Sequence, residues 1–119
     1  MAFAAKHDIP VVATKSHPYS MDQNVWHLSH EGGDLENPAN APKDDVYLVT
    51  HTPEEAPDQA GYVTIDFVEG VPVAVDGKAG SPLEILESLN KIGAHYGVGV
   101  VDIVENRLVG MKSRGVYEN

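Results

Sequence analysis

Alternating apolar and polar positions predict a β-hairpin in the middle of the chain. Two short segments carry an apolar residue at every second position, namely Val63, Ile65, Phe67, Val71, Val73 and Val75. This period is typical of strands with one buried face. Glu69-Gly70 lies between the segments and suits a tight turn, so we expect a hairpin spanning residues 62–77.

A helical pattern follows the hairpin and predicts the main helix, from Pro82 to Tyr96. Apolar residues recur three or four positions apart and form one face, which consists of Leu83, Leu86, Leu89, Ile92 and Tyr96. Ser81 is the expected N-cap, and Glu84 is its partner in a capping box. Gly97 is suited to end the helix.

Weaker patterns cover the rest of the chain. They predict the end of a helix at residues 2–7, strands at 11–13 and 46–50, and loops at 14–24 and 34–45. Within the first loop, Ser20 could cap a short helix with Gln23 as its partner. The expected fold class is α+β, in one domain: a mixed, mainly antiparallel sheet packed against the main helix.

The final segment combines an apolar strand with a polar cluster. Residues 98–104 are apolar and β-branched and predict a buried strand, which leads into Glu105-Asn106-Arg107. Residues 110–115 contain glycines and basic residues and are expected to form a loop. Polar groups at the end of a strand commonly build a binding site. The alternative, a solvated turn between two strands, remains open.

Composition narrows the possible functions. The 119 residues carry a formal net charge of −10, which disfavours nucleic-acid binding. Arg107, Lys112 and Arg114 could still hold a small anion. There is no cysteine, and no apolar run approaches the ~20 residues that span a bilayer. The first residues do not resemble a signal peptide, so a cytoplasmic location is expected.

Motifs for common catalytic centres are missing from these residues. His27, His30 and Glu31 invite a metal hypothesis, but the helical His-Glu-x-x-His pattern is absent. There is neither a Gly-x-Ser-x-Gly elbow nor a phosphate-binding loop of the Gly-x-x-x-x-Gly-Lys type. We therefore expect no metal site and no catalytic nucleophile within this chain.

Three segments together resemble the argininosuccinate synthase family. They are VDIVENRLVGMKSRGVYE at residues 101–118, PYSMDQNVWHLSHEG at 18–32 and GVPVAV at 70–75. Their order agrees with the family over essentially the whole chain. The resemblance implies that Ser20, Ser29, Glu105 and Tyr117 line a citrulline pocket, with Asp22 and Glu31 near the nucleotide or the citrulline. Carboxylate, hydroxyl and phenol groups suit a small zwitterion, although chemistry alone would not single out these residues.

The resemblance also implies a reaction. The family joins citrulline to aspartate with ATP and magnesium, through a citrullyl-adenylate, and works as a homotetramer. Its nucleotide-binding domain, with a Ser-Gly-Gly-Leu-Asp-Thr-Ser loop, and its C-terminal arm have no counterpart here, so residues 1–119 are expected to form part of a domain that is inactive alone. Family members usually carry a basic residue at the position of Val100. A free-standing citrulline-binding module and an assembly piece without a ligand are the alternatives.

Overall fold

Two antiparallel sheets and one long helix form the architecture. The computed structural model describes residues 2–11, 14 and 17–119. The larger sheet has the order β1 (Ser20–Gln23), β2 (Leu28–Glu31), β7 (Gly110–Glu118), β6 (Val100–Arg107), and the smaller sheet has the order β3 (Ile65–Val68), β4 (Val71–Val75), β5 (Lys78–Ala79). The helices are α1 (Ala2–Lys6) and α2 (Pro82–His95), with 3₁₀ turns at Gly33–Glu36 and Asp44–Val46.

The expected α+β class is confirmed, while the expected single mixed sheet is replaced by two sheets. Within the described residues, every pair of strands is antiparallel. The main helix packs against β4 of the smaller sheet. The larger sheet joins the hairpin β1–β2 to the hairpin β6–β7. The three strands that lie between these hairpins in the sequence pair with one another.

The hairpin and the main helix form where their local patterns predict them. β3 and β4 pair around Glu69-Gly70, and Ser81 and Glu84 form the capping box at the start of α2. Gly97 follows the helix with φ of 66°, a conformation that glycine adopts without strain. The predicted apolar face needs one correction, because Ile85 is buried whereas Leu83 is 56% exposed.

Two predictions in the first half of the chain are wrong. Residues 20–23 form β1 and not a capped helix, because they pair with β2. Residues 46–50 do not form a strand: Val46 ends a 3₁₀ turn and the next residues have no regular structure. The helix end at residues 2–7 is confirmed by α1. Of the strand predicted at 11–13, residues 12 and 13 lie outside the described residues.

Two predictions in the final segment are also wrong. Residues 110–115 are not a loop but the first two thirds of β7. Most of β6 is exposed, including Val101, Ile103 and Val104. β6 is an edge strand, and the core covers only its first residues, around Val100. A run of β-branched residues predicts a strand, but burial also needs a partner layer.

The core lies on one side of the larger sheet. Its buried centre consists of Tyr19, Leu35, Val46 and Val116, with Met21, Tyr47 and Val100 packed against it. The segment that contains both 3₁₀ turns supplies Leu35 and Val46 and thus covers this side of the sheet. Val100 contributes apolar surface to this core. None of the helices in the described residues has the length and apolar character needed to cross a membrane.

Candidate ligand-binding face

The strand register of the larger sheet places all six candidate residues on one face. Side chains that are aligned across a sheet share a face, and so do residues two apart along a strand. Asp22, Ser29 and Tyr117 are aligned in one row, and Ser20 and Glu31 are aligned in the row two residues away. Glu105 shares this face because it lies four residues from Val101, the partner of Tyr117. We call this surface the polar face. Its polar residues are Ser20, Asp22, Ser29, Glu31, Glu105, Lys112, Ser113 and Tyr117, and the same register adds Val101 and Ile103 of β6.

Burial of the intervening residues supports this assignment. His30 and Val116 are aligned in the row between the two rows just described, and both are 0% exposed. Arg114 and Glu118 alternate with Ser113 and Tyr117 along β7 and are also buried. The opposite side of the sheet therefore faces the core. Most side chains of the polar face are accessible, whereas Ser29 at its centre is 8% exposed.

The six residues are not equally close to one another. Asp22, Ser29 and Tyr117 are direct neighbours on three adjacent strands, and Ser29 Oγ donates to the Asp22 backbone oxygen at 3.4 Å. Ser20 is paired with Glu31. Glu105 lies on the outer strand, three strand spacings or roughly 14 Å from β1. The polar face thus has a compact part on β1, β2 and β7 and a separate carboxylate on β6.

The ring of Tyr117 lies close to a glycine of the same strand. A Cβ atom added at Gly115 would come within 2.8 Å of Tyr117 Cε2 and 2.9 Å of the phenol oxygen. Gly115 is therefore required for this orientation of the Tyr117 ring. The His27 ring lies next to Tyr117, with 6.1 Å between the ring centroids.

A β-bulge brings a lysine onto the polar face. The register between β6 and β7 changes from Glu105–Ser113 to Asn106–Met111, which leaves Lys112 as the extra residue. Bulges redirect side chains in this way. Lys112 Nζ lies 2.9 Å from Glu105 Oε2. The hydrogen bond to Glu105 raises the pKa of Lys112, and the charges of Glu105 and Glu31 act in the same direction.

The three basic residues that could have held a small anion do not form one patch. Arg114 is 6% exposed, points to the core side and makes two hydrogen bonds to Asp102, at 2.9 and 2.7 Å. It also donates to the backbone oxygens of Asn37 and Asn40. Lys112 is paired with Glu105, and Arg107 donates to the Lys112 backbone oxygen at 3.5 Å. The structure therefore does not bring the three side chains together as one anion site.

The histidine spacing does not produce a metal site. His30 points into the core, where its Nε2 lies 2.8 Å from Glu118 Oε2. His27 lies beside Tyr117 on the polar face, so that the sheet separates the two imidazoles. Within the described part of the chain, no group of three histidine, aspartate or glutamate side chains is arranged to hold a metal ion.

The chemistry of the polar face determines which ligands it can bind. It offers hydroxyl groups, three carboxylates and one paired lysine. Carboxylates favour an ammonium group, and hydroxyl groups can donate to or accept from a carboxylate or amide. Sequence reasoning missed the roles of Lys112 and Gly115. An isolated glycine within a strand pattern is a usable signal for a close approach, whereas the bulge at Lys112 depends on how two strands pair.

Comparison with known proteins identifies the family. Residues 19–119 match the family model described as the arginosuccinate synthase C-terminal domain. The chain is 64% identical over 118 residues to the argininosuccinate synthase of Moorella thermoacetica, covering 99% of this chain and 29% of that protein.

Two further relatives lead to the same family. The argininosuccinate synthase of Desulfitobacterium hafniense strain DSM 10664 / DCB-2 is 60% identical, with 98% of this chain and 29% of that protein covered. The chloroplastic argininosuccinate synthase of Arabidopsis thaliana is 58% identical, with 98% of this chain and 24% of that protein covered. The chain thus spans less than a third of the length of these curated relatives. Because the family model matches nearly the whole sequence, the chain belongs to the argininosuccinate synthase family, within its C-terminal domain.

Proposed function

We propose that this chain supplies the citrulline-binding wall of an ATP-dependent ligase that joins citrulline to aspartate. The observation that carries the proposal is the common face of Ser20, Asp22, Ser29, Glu31, Glu105 and Tyr117. These residues come from four strands, yet the antiparallel pairing aligns their side chains on the side of the sheet opposite the core. The names of the relatives supply the activity.

Citrulline is complementary to this surface. Its ammonium group would pair with a carboxylate of the polar face, Glu105 first, since charge-assisted hydrogen bonds are the strong ones. The hydroxyls of Ser20, Ser29 and Tyr117 would position its carboxylate and ureido groups. The wall acts by orientation, because aligning reacting groups can account for a large part of a rate enhancement.

The reaction also requires ATP, whose triphosphate the polar face is not suited to bind. In the proposed reaction the ureido oxygen of citrulline attacks the α-phosphorus of ATP and releases pyrophosphate, and the aspartate amine then displaces AMP. Three carboxylates and one paired lysine on the polar face would repel a triphosphate. ATP, magnesium and aspartate are therefore assigned to other parts of the family protein. The family tetramer and a cytoplasmic location belong to the same proposal.

A chimera tests the proposal directly. This chain would replace the matching segment of the Moorella thermoacetica relative, to which it is 64% identical. We expect the chimera to form argininosuccinate from citrulline, aspartate and ATP, with pyrophosphate release as the readout. Glu105→Gln should raise the KM for citrulline by about tenfold, since it removes one charge-assisted contact. A folded chimera without ligase activity would refute the proposal.

A matched variant separates binding from general damage. Glu54→Gln makes the same change at an exposed carboxylate in an irregular segment outside the sheet, and it should leave the KM for citrulline unchanged. Equal effects of the two variants would remove Glu105 from the proposed site.

A free-standing binding module is the second candidate, because the described residues form the polar face without another chain. Calorimetry with citrulline and the 119-residue chain tests it. Saturable binding that Glu105→Gln weakens would favour the module, and absence of heat at millimolar citrulline would exclude it.

A further inference from the structure

A buried carboxylate lies directly behind the polar face. Glu118 is 2% exposed and accepts four hydrogen bonds. His30 Nε2 lies 2.8 Å from Oε2, and the backbone N–H groups of Leu48, Val49 and Thr50 donate at 3.1, 3.0 and 2.8 Å. Burial alone would raise the pKa of Glu118, but these hydrogen bonds hold it below its usual range. Glu118 is thus a buried anion whose charge is stabilised by hydrogen bonds from the protein.

The carboxylate explains why residues 46–50 do not form the predicted strand. Buried backbone N–H groups need an acceptor, and in a strand the acceptor is a neighbouring strand. Here the N–H groups of three successive residues converge on Glu118. The side chain of one residue therefore fixes a whole segment to the back of the larger sheet.

The hydrogen bond to Glu118 accounts for the presence of a histidine at position 30. It is 0% exposed, and its Nδ1 is buried without a hydrogen-bond partner in the described chain. A buried polar atom without a partner lowers stability. An apolar ring would avoid this cost, so the value of the imidazole lies in the donor that Nε2 presents to Glu118.

Each member of the pair is adjacent in sequence to a residue of the polar face. His30 follows Ser29 on β2, and Glu118 follows Tyr117 on β7. Ser29 and Tyr117 are themselves register partners. The buried hydrogen bond therefore joins the two strands at the place where the opposite face carries a hydroxyl and a phenol.

We propose that Glu118 and His30 are positioning residues for citrulline: by joining β2, β7 and residues 48–50 behind the sheet, they hold Ser29 and Tyr117 in the geometry that the ligand requires. This inference rests on the proposed function for its ligand. The placement of Tyr117 by the pair is independent of that function and can be measured without substrate.

Steady-state kinetics of the chimera test the role in binding. Glu118→Gln keeps the side-chain shape but removes the charge, and it should raise the KM for citrulline by about tenfold while leaving the KM for ATP within about twofold. His30→Gln retains an amide donor and should come close to the unaltered chimera, whereas His30→Phe should behave like Glu118→Gln.

Leu35→Ala is the matched control. Leu35 is 1% exposed and belongs to the core under the same sheet, so its truncation should lower thermal stability without a selective effect on the KM for citrulline. The inference would be overturned if Leu35→Ala and Glu118→Gln had comparable stability and raised the KM for citrulline to a similar extent. Glu118 and His30 would then have only a structural role.

Fluorine NMR of the 119-residue chain provides the substrate-free measurement. With 3-fluorotyrosine in all tyrosines, the Tyr117 signal is assigned through Tyr117→Phe. His30→Phe should shift this signal toward the value of an unfolded chain, and Leu35→Ala should not. A Tyr117 signal that His30→Phe leaves in place would refute the inference, whereas an inactive chimera with a shifted Tyr117 signal would refute only the proposed function.

Discussion

Arg114 illustrates how single residues of this chain hold separate segments together. Its guanidinium group makes two hydrogen bonds to Asp102 on the neighbouring strand and donates to the backbone oxygens of Asn37 and Asn40. It therefore attaches the irregular segment that carries part of the core to the back of the sheet. Removing a partner from a buried ion pair typically costs about 3–5 kcal/mol, and the partial exposure of Asp102 places this pair at the lower end.

Acid sensitivity tests the same pair. The hydrogen bond from Arg114 lowers the pKa of Asp102. A group with a lowered pKa stabilises the fold above its unfolded pKa, about 3.9 for aspartate, and this contribution is lost as the pH falls through the lower folded value. Asp102→Asn should therefore be less stable than the unaltered chain at pH 7, and the difference should shrink below about pH 4.

Urea denaturation from neutral to acidic pH is the measurement for this prediction. Asp58→Asn, at an exposed bend outside the sheets, serves as the control and should follow the pH dependence of the unaltered chain. A constant difference between Asp102→Asn and the unaltered chain at all pH values would contradict the assigned role of the ion pair.

At the scale of elements, residues at the N-terminus of α2 determine where this helix begins. The Ser81 hydroxyl accepts from the Glu84 N–H, and the Glu84 carboxylate accepts from the Ser81 N–H at 2.8 Å. The hydrogen bonds from Ser81 lower the pKa of Glu84. α2 packs against β4 of the smaller sheet, and hydrogen bonds join it to the backbone of Val25 and His51. The capping box adds a local contribution to its stability at the N-terminus.

Ser81→Ala should lower the free energy of unfolding by about 1 kcal/mol, since it removes the N-cap. Ser88→Ala makes the same substitution within the helix, where the Ser88 hydroxyl donates to the Glu84 backbone oxygen. Alanine has the higher helix propensity, so Ser88→Ala should be neutral or slightly stabilising. Chemical denaturation followed by circular dichroism measures both, and equal losses would show that the cap contributes nothing specific.

The whole molecule is extended and exposes an apolar edge. Its radius of gyration is 18.0 Å, compared with roughly 13–14 Å for a compact chain of this length. β6 is an edge strand with exposed Val101, Ile103 and Val104, and Leu108 and Val109 are exposed at the hairpin tip. Long, apolar edge strands pair with other chains.

We therefore expect the 119-residue chain to self-associate through β6 when it is expressed by itself. Ile103→Lys places a charge on this edge and should shift the sedimentation profile toward the monomer. Tyr62→Lys removes a side chain that is 96% exposed but lies in no strand, and it should leave association unchanged. A monomeric profile of the unaltered chain at high concentration would contradict the prediction.

The sequence by itself determined the elements whose interactions are local. The hairpin around Glu69-Gly70 and the helix that begins after Ser81 depend on residues a few positions apart, so their patterns can be recognised along the chain. The family was also evident from the sequence, because three motifs in the correct order do not require knowledge of the fold.

Tertiary structure alone decided the features that depend on distant partners. Residues 46–50 have a strand-like sequence, but the N–H groups of Leu48, Val49 and Thr50 bind a carboxylate 68 to 70 residues away. The candidate residues share a face only because four strands pair in this register. Lys112 reaches Glu105 because the register of β6 and β7 shifts by one residue. A local pattern specifies which backbone conformation is favourable, whereas the hydrogen-bond partners and burial of each residue depend on what the rest of the chain brings next to it.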